Sequence, residues 1–244
     1  MSVKLKKVCK SFGELQVLED ISLEIVPGEI VSIIGASGCG KSTLLRVIAG
    51  LEDSDSGSVL IDPELEHSRS FVFQDPLLLD WRKLEANISL PLEITAPQEK
   101  SKETLLQEVL ALTNLCEHRQ KYPHELSGGM RMRASLARAL ITQPKLIFLD
   151  EPFGALDEMT REKLNLEIQQ IHQQKPSTII LVTHNLSEAV FMSHRIFVMG
   201  LNSGRIEAEI TVDQNFPREA SFFNENLFQE KLCEVRQVLR EAER

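Results

Sequence analysis

The chain of 244 residues contains no run of about 18 consecutive apolar residues, so nothing in it reads as a membrane-crossing helix. Its first residues, Met1-Ser2-Val3-Lys4-Leu5-Lys6-Lys7, are basic but lack the apolar core of a signal peptide. Base is in short supply: 27 Lys and Arg against 36 Asp and Glu leave a net charge of −9. That argues against a partner such as nucleic acid, which is gripped through a basic surface, and against anchoring to anionic lipid by charge alone. The four cysteines, Cys9, Cys39, Cys116 and Cys233, are far apart and form no C-x-x-C pair. A metal or disulfide framework is therefore not expected, and a reducing cytosol fits. There is a single tryptophan, Trp81, and there is no internal repeat or low-complexity segment. What is left is an ordinary globular composition, 42% hydrophobic and 26% charged, with material for one large domain or two small ones.

Gly35-Ala36-Ser37-Gly38-Cys39-Gly40-Lys41-Ser42-Thr43 is the most informative stretch. It follows the β-prone run Ile30–Ile34 and precedes the helical pattern Leu44–Ala49, the strand–loop–helix context of a phosphate-binding loop. Gly35, Gly38 and Gly40 can take backbone angles closed to other residues, letting successive N–H groups curl around phosphate oxygens. The helix N-terminus adds its dipole. Lys41 brings a point charge to the β- and γ-phosphates, and the Ser42 hydroxyl suits Mg²⁺. Alone, the loop predicts only nucleoside triphosphate binding. Cys39 lies inside it, which predicts that oxidation or alkylation of this thiol blocks nucleotide.

Residues 2–34 read as strands, with a turn at Pro27-Gly28. Phe12, beside a turn, reads from local pattern as core, or else as a stacking face for a purine. Short strands are expected at Ser58–Ile61 and Ser70–Phe73, the second ending at Gln74 before Asp75-Pro76. Gln74 could ligate Mg²⁺, orient an attacking water, or be a solvated loop residue. Helical periodicity follows over Leu84–Leu92, Lys102–Leu115 and Met130–Ile141, punctuated by Pro91, Pro97 and Pro123. Residues 76–140 thus read as a helical insertion in a sheet domain. Trp81 reads equally well as core or as an exposed face for a partner.

Leu126-Ser127-Gly128-Gly129-Met130 precedes an arginine-rich helix. Ser127 suits an N-cap, and the glycines leave N–H groups unobstructed, so this is a second helix start suited to phosphate. Local pattern alone favours an ordinary capped helix start; in a chain that already has one phosphate loop, a second is either idle or aimed at another molecule's nucleotide. Leu146-Ile147-Phe148-Leu149-Asp150-Glu151 is a buried-type strand running into two acids. Asp150 can hold the Mg²⁺ shell, and Glu151 can accept a hydrogen bond from an attacking water. Gly154-Ala155-Leu156-Asp157 then caps a helix reaching Gln174. A strand over Ser177–Val182 ends at Thr183-His184, at the strand end where open α/β sheets bind ligand; His184 could meet a γ-phosphate or be structural. Two closing strands, Arg195–Met199 and Arg205–Thr211, flank Asn202-Ser203-Gly204. The tail carries Phe228, Leu232, Val235 and Leu239 on one helix face.

In this order the motifs resemble the ATP-binding cassette (ABC) family of transport ATPases, over about residues 3–212. GASGCGKST is similar to the Walker A loop, LSGGM to the family signature, LIFLDE to the Walker B strand, Gln74 to the Q-loop residue, GALD to the D-loop and His184 to the switch histidine. Phe12 matches the aromatic residue that stacks on adenine, which reverses the local reading of it. Ser127 lies 23 residues before Asp150, and His184 follows Glu151 by 33, which agrees. The stretch Phe71–Arg82, with its Leu-Leu-Leu-Asp-Trp, is similar to the importer branch for nitrate, sulfonate and taurine. Three positions depart from the common pattern: Asp80 for proline, Met132 for glutamine and Asn185 for aspartate.

The resemblance implies an α/β fold: a P-loop NTPase core with a mixed sheet, an antiparallel β subdomain and an inserted helical subdomain. Residues 1–75 and 141–212 would form the sheet core, 76–140 the helical subdomain and 213–244 a helical tail. It implies ATP and Mg²⁺, and a homodimer in which each signature loop closes on the partner's ATP. The nucleotide would contact Phe12, residues 35–43, Ser127, Gly128, Gly129 and Asp157; Ser42, Gln74 and Asp150 would hold the metal. Glu151, His184, Gln74 and Lys41 would carry hydrolysis. It further implies a separate integral membrane permease, a solute-binding protein, and a peripheral position on the cytoplasmic face of the inner membrane, with no nucleic acid partner. The competing readings are a soluble cassette ATPase acting on ribosomes or DNA, which often has tandem cassettes or long coiled-coil insertions, and a non-hydrolysing regulator, which would not need Glu151, Gln74 and His184 together.

Overall fold

Alternating apolar residues build the first two strands: β1 (Val3–Phe12) and β2 (Leu15–Ile25) pair antiparallel and bury Val3, Leu5, Val8, Leu18, Ile21 and Ile25. The computed structural model describes residues 2–96, 98, 100–154, 156–201 and 203–242; the expectations placed on Pro97, Ala155 and Asn202 lie outside the described residues. β3 (Ile30–Gly35) is buried at every position, as a strand covered on both faces requires. After α1 (Lys41–Ile48), β4 (Ser56–Ile61) returns to pair antiparallel with β1, giving a sheet ordered β2-β1-β4. A one-turn helix not expected from the sequence, α2 (Pro63–Glu66), starts where Asp62 accepts a bond from Glu64 N at 3.1 Å and Pro63 presets the first helical residue.

β5 (Arg69–Val72) is followed by α3 (Leu84–Thr95), α4 (Lys102–Leu112) and α5 (Gly128–Leu140) before the chain re-enters the sheet at β6 (Leu146–Asp150). Then come α6 (Glu158–Gln174), β7 (Thr178–Val182), α7 (Leu186–Met192), β8 (Arg195–Met199), β9 (Ile206–Thr211) and α8 (Asn226–Ala242). Pro91, expected to punctuate, instead stands inside α3. Tertiary anchoring outweighs the lost backbone bond. Asn87 is fully buried and clasps the preceding loop, donating to Leu79 O at 3.0 Å and Arg82 O at 2.9 Å, while Ile88 and Leu92 bury the helix in the core on both sides of the proline.

The second sheet is ordered β5-β6-β7-β3-β8-β9, parallel except for the antiparallel β9. Parallel pairing fixes the site. The C-terminal ends of β3, β5, β6 and β7 share one edge, so the residues that follow Gly35, Val72, Asp150 and Val182 meet there. Asp150 stands level with Val182, and Thr183 N donates to Ile33 O at 3.2 Å.

The C-terminal segment is tied down by Arg218, which is 2% exposed and has no acidic partner among the described residues. Its guanidinium donates to Val190 O at 2.6 Å and Phe191 O at 2.9 Å, filling carbonyls at the end of α7, and to Val212 O at 3.1 Å just after β9. The rings of Phe216 and Phe222 flank it at 4.3 and 5.2 Å, and burial brings its pKa down to about 9. α8 packs behind through Phe228 and Val235.

His194 stacks on Phe216 with ring centroids 4.1 Å apart and accepts a bond from Ile30 N through Nδ1 at 3.0 Å. Burial holds both His194 and His172 below the ordinary histidine value; for His194 the Arg218 charge pushes the same way and Glu29 opposes it. A depressed folded-state pKa means that the unfolded chain takes up protons first as pH falls. Stability is then full above about pH 6.5 and is lost as pH drops through the folded value. The melting temperature is expected to fall by several degrees between about pH 7.5 and about pH 5.5. His194→Gln should flatten that slope, as followed by thermal unfolding at each pH.

Candidate functional site

The loop after β3 is shaped by its glycines for two different reasons. Gly38 and Gly40 have φ of 83° and 102°, so the backbone angle itself demands glycine there. Gly35 does not have a left-handed φ; a Cβ on it would lie 2.6 Å from Cys39 Sγ and 2.8 Å from Met199 O, so close approach replaces the expected angle argument. Lys41 opens α1 and is 4% exposed, its ammonium donating to Gly35 O at 3.0 Å and Ala36 O at 2.8 Å. The loop and its lysine therefore form one closed unit.

A cavity of about 400 Å³ opens over this loop. Its floor is Ser37, Gly38, Gly40, Lys41, Ser42 and Thr43; Phe12 and Val17 form one side, and Gln74 and Glu151 another. Phe12 is 51% exposed, so it is not core. Beneath the cavity Ser42 Oγ donates to Asp150 Oδ1 at 2.7 Å. Burial raises the Asp150 pKa, opposed by this bond and by the Arg46 guanidinium 3.8 Å away. Glu151 has φ of +43°, an uncommon angle for a non-glycine residue, which turns its carboxylate out of the strand line. Its N–H donates to Val182 O at 2.9 Å, and its Oε2 lies 2.9 Å from His184 Nδ1. A Cβ on Gly154 would sit 3.6 Å from His184 Cε1, so the following loop packs against this pair.

Ser127, Gly128, Gly129 and Asp157 are not brought to that cavity. Ser127 caps α5 by accepting from Met130 N at 3.3 Å, and a Cβ on Gly129 would meet Leu156 and Thr160 at 3.5 and 3.6 Å. Asp157 caps α6, accepting from Thr160 N at 3.0 Å, and the Thr160 hydroxyl, with this N–H, lowers its pKa. The two phosphate-suited helix starts therefore sit apart within one chain.

A model of the ABC transporter family matches residues 18–154. The chain belongs to the ABC transporter family. The aliphatic sulfonates import ATP-binding protein SsuB of a Bacillus cereus strain is 39% identical over 238 residues, which span 94% of this chain and 92% of that protein. The nitrate import ATP-binding protein NrtC of Synechococcus elongatus is 42% identical over 212 residues, 84% of this chain but 32% of that longer protein. Among solved structures, the dimeric ATP-binding cassette MJ0796 in a post-hydrolysis state with ADP and Pi superposes with a TM-score of 0.77 at 31% identity, covering 87% of this chain and 100% of that one. CbiO1 of Clostridium perfringens, at 24% identity and a TM-score of 0.79 over 96% of this chain and 98% of that one, shows the same fold.

This ABC cassette is an ATPase with the expected α/β fold, and its departures from the family pattern have visible consequences. Asn185 does what an aspartate would do at a helix start, accepting from Glu188 N at 3.0 Å as the cap of α7. Met132 is 4% exposed and joins the core, while Asp80 and Trp81 are exposed. Cys39 is only 3% exposed and burial pushes its thiol pKa up, so the cassette offers reagents no ready thiolate; the expected sensitivity of this cysteine is not supported. Two site residues escaped the sequence reading. Arg46 lies one turn beyond Ser42 on α1, a spacing that was readable. Val17 approaches the loop from β2 and left no local signal.

Proposed function

We propose that two copies of this cassette sandwich two ATP molecules and so power import of a small nitrate-, sulfonate- or taurine-like solute through a separate permease. The observation that carries the dimer is the separation of the two cradles: the Ser127-Gly128-Gly129 helix start is capped yet stands outside its own chain's cavity. In a head-to-tail pair, that start would complete the cradle of a partner's γ-phosphate. Phe12 would stack on adenine and Lys41 would neutralise the β- and γ-phosphates. The Ser42 and Asp150 oxygens, already bonded to each other, with Gln74 beside them, are the hard oxygen donors that Mg²⁺ prefers. Bound Mg²⁺ would supply charge neutralisation across the phosphates. Glu151 would accept a proton or hydrogen bond from the attacking water, and His184, steadied by Glu151, would reach the γ-phosphate.

The import reading is supported by the names of relatives such as the sulfonate, sulfate/thiosulfate and nitrate proteins, each an import ATP-binding protein. This reading gives the permease a seat. A groove of about 400 Å³ lies between β5 and α3, lined by Phe71, Phe73, Leu90, Ile94 and Arg138, with Ile94 72% exposed and Trp81, beyond β5, 76% exposed. No helix among the described residues is long and apolar enough to cross a membrane, and this reading assigns the conducting path to another polypeptide. The solute-binding protein and the position on the cytoplasmic face belong to the same reading.

The full chain is expected to pass from monomer to dimer on adding ATP under conditions that arrest hydrolysis, as read by sedimentation. Gly129→Asp should abolish that dimer and leave ATP binding by the monomer intact, because a carboxylate would then face the partner's phosphate. A protein that stays monomeric and inert with nucleotide, even beside its permease, would overturn the reading.

A further inference from the structure

α6 and α7 pack against each other, and each begins at a loop of the site: α6 at Asp157, α7 two residues after His184. At their contact is Glu188, 4% exposed, in the first turn of α7. Its carboxyl lies against the side chains of Thr183 and Asn165, and the guanidinium of Arg161 from α6 and the imidazole of His184 face it. Arg161 in turn holds the loop before α6, donating to Phe153 O at 3.3 Å and Leu156 O at 2.8 Å. Thr183 accepts from Asn185 N at 3.0 Å, so it shapes the turn that carries His184.

We propose that Glu188 is a positioning residue for hydrolysis: its side chain, held between Thr183, Asn165 and Arg161, fixes how the His184 loop meets the Asp157 loop. This rests on the reading of His184 as the group that reaches the γ-phosphate. Two observations say that the carboxyl is more than a packed side chain. Glu188 Oε1 and Asn165 Oδ1 are both buried without a hydrogen-bond partner, an expense that a helix contact made only for stability would shed by using apolar residues. Burial also raises the carboxyl pKa, opposed by Thr183, Arg161 and Asn165; in the protonated form its one O–H can donate to Asn165 Oδ1 and so satisfy the orphaned pair, which a carboxylate cannot do. A side chain that donates to Asn165 Oδ1 makes length and a donor the requirement and charge dispensable.

The test compares Glu188→Asp, Glu188→Gln and His184→Ala in the full chain, measuring kcat, nucleotide affinity and melting temperature. Glu188→Asp, one methylene short, should lower kcat by about fivefold or more with nucleotide affinity within about twofold of the parent. Glu188→Gln, which keeps length and a donor, should hold kcat within about twofold. The inference is overturned if the aspartate variant turns over like the parent, if the glutamine variant is equally impaired, or if affinity and melting collapse together with kcat in either. His184→Ala separates the levels. Unchanged hydrolysis there removes the histidine's role itself, whereas an inactive His184→Ala beside an unaffected Glu188→Asp removes only the proposal for Glu188.

Discussion

Glu151→Gln should bind ATP about as tightly as the parent and hydrolyse it about a hundredfold or more slowly. The substitution is isosteric, so the bonds that place the side chain survive: the backbone N–H still donates to Val182 O at 2.9 Å, and an amide oxygen can still meet His184 Nδ1. What is lost is the carboxylate's ability to accept a proton from water. Lys41, Ser42 and the loop amides, which would hold the triphosphate, are untouched. In the proposed dimer bound ATP would close two chains and hydrolysis would open them, so this variant should also accumulate as an ATP-bound dimer. Single-turnover hydrolysis and sedimentation check the two halves separately. Unchanged turnover would take Glu151 out of the mechanism.

Lys41→Ala should fail at the earlier step, with ATP affinity weakened by about 10- to 150-fold, the equivalent of about 1.5–3 kcal/mol for a hydrogen bond to a charged group. The ammonium is bonded to Gly35 O and Ala36 O, so its removal costs more than one contact to phosphate. Two carbonyl oxygens lose their donor at the wall of an anion site, where they would repel the ligand. Equilibrium binding of a fluorescent ATP analogue reads the loss directly. The two variants thus diverge: Glu151→Gln gains a persistent dimer, and Lys41→Ala forms none at ordinary nucleotide concentrations.

Much of this was legible because the chemistry is local in sequence. The loop at 35–43 announces itself through glycine spacing, and Asp150 and Glu151 through a hydrophobic strand ending in acids; parallel pairing then delivers both to one edge. The caps at Ser127 and Asp157 were readable for the same reason. Contacts between elements far apart in the chain were not. Val17 meets the phosphate loop from β2, and nothing in its neighbours marks it. Pro91 carries a strong local instruction to stop, which Asn87 overrides through its bonds to the loop outside the helix. Phe12 misread locally because an aromatic beside a strand is more often buried than set at the mouth of a pocket, and only the family pattern corrected it. Arg218 gave no sign at all: its partners are main-chain carbonyls, which have no sequence signature.

That arginine makes the end of α7 depend on the far end of the chain. The seven-residue helix that starts two residues after His184 is terminated by a cation borrowed from beyond β9. The C-terminal stretch is consequently part of the engine's frame: events at residues 212–222 share a rigid member with the turn that carries His184, and the tail cannot be cut back past Arg218 without loosening that member.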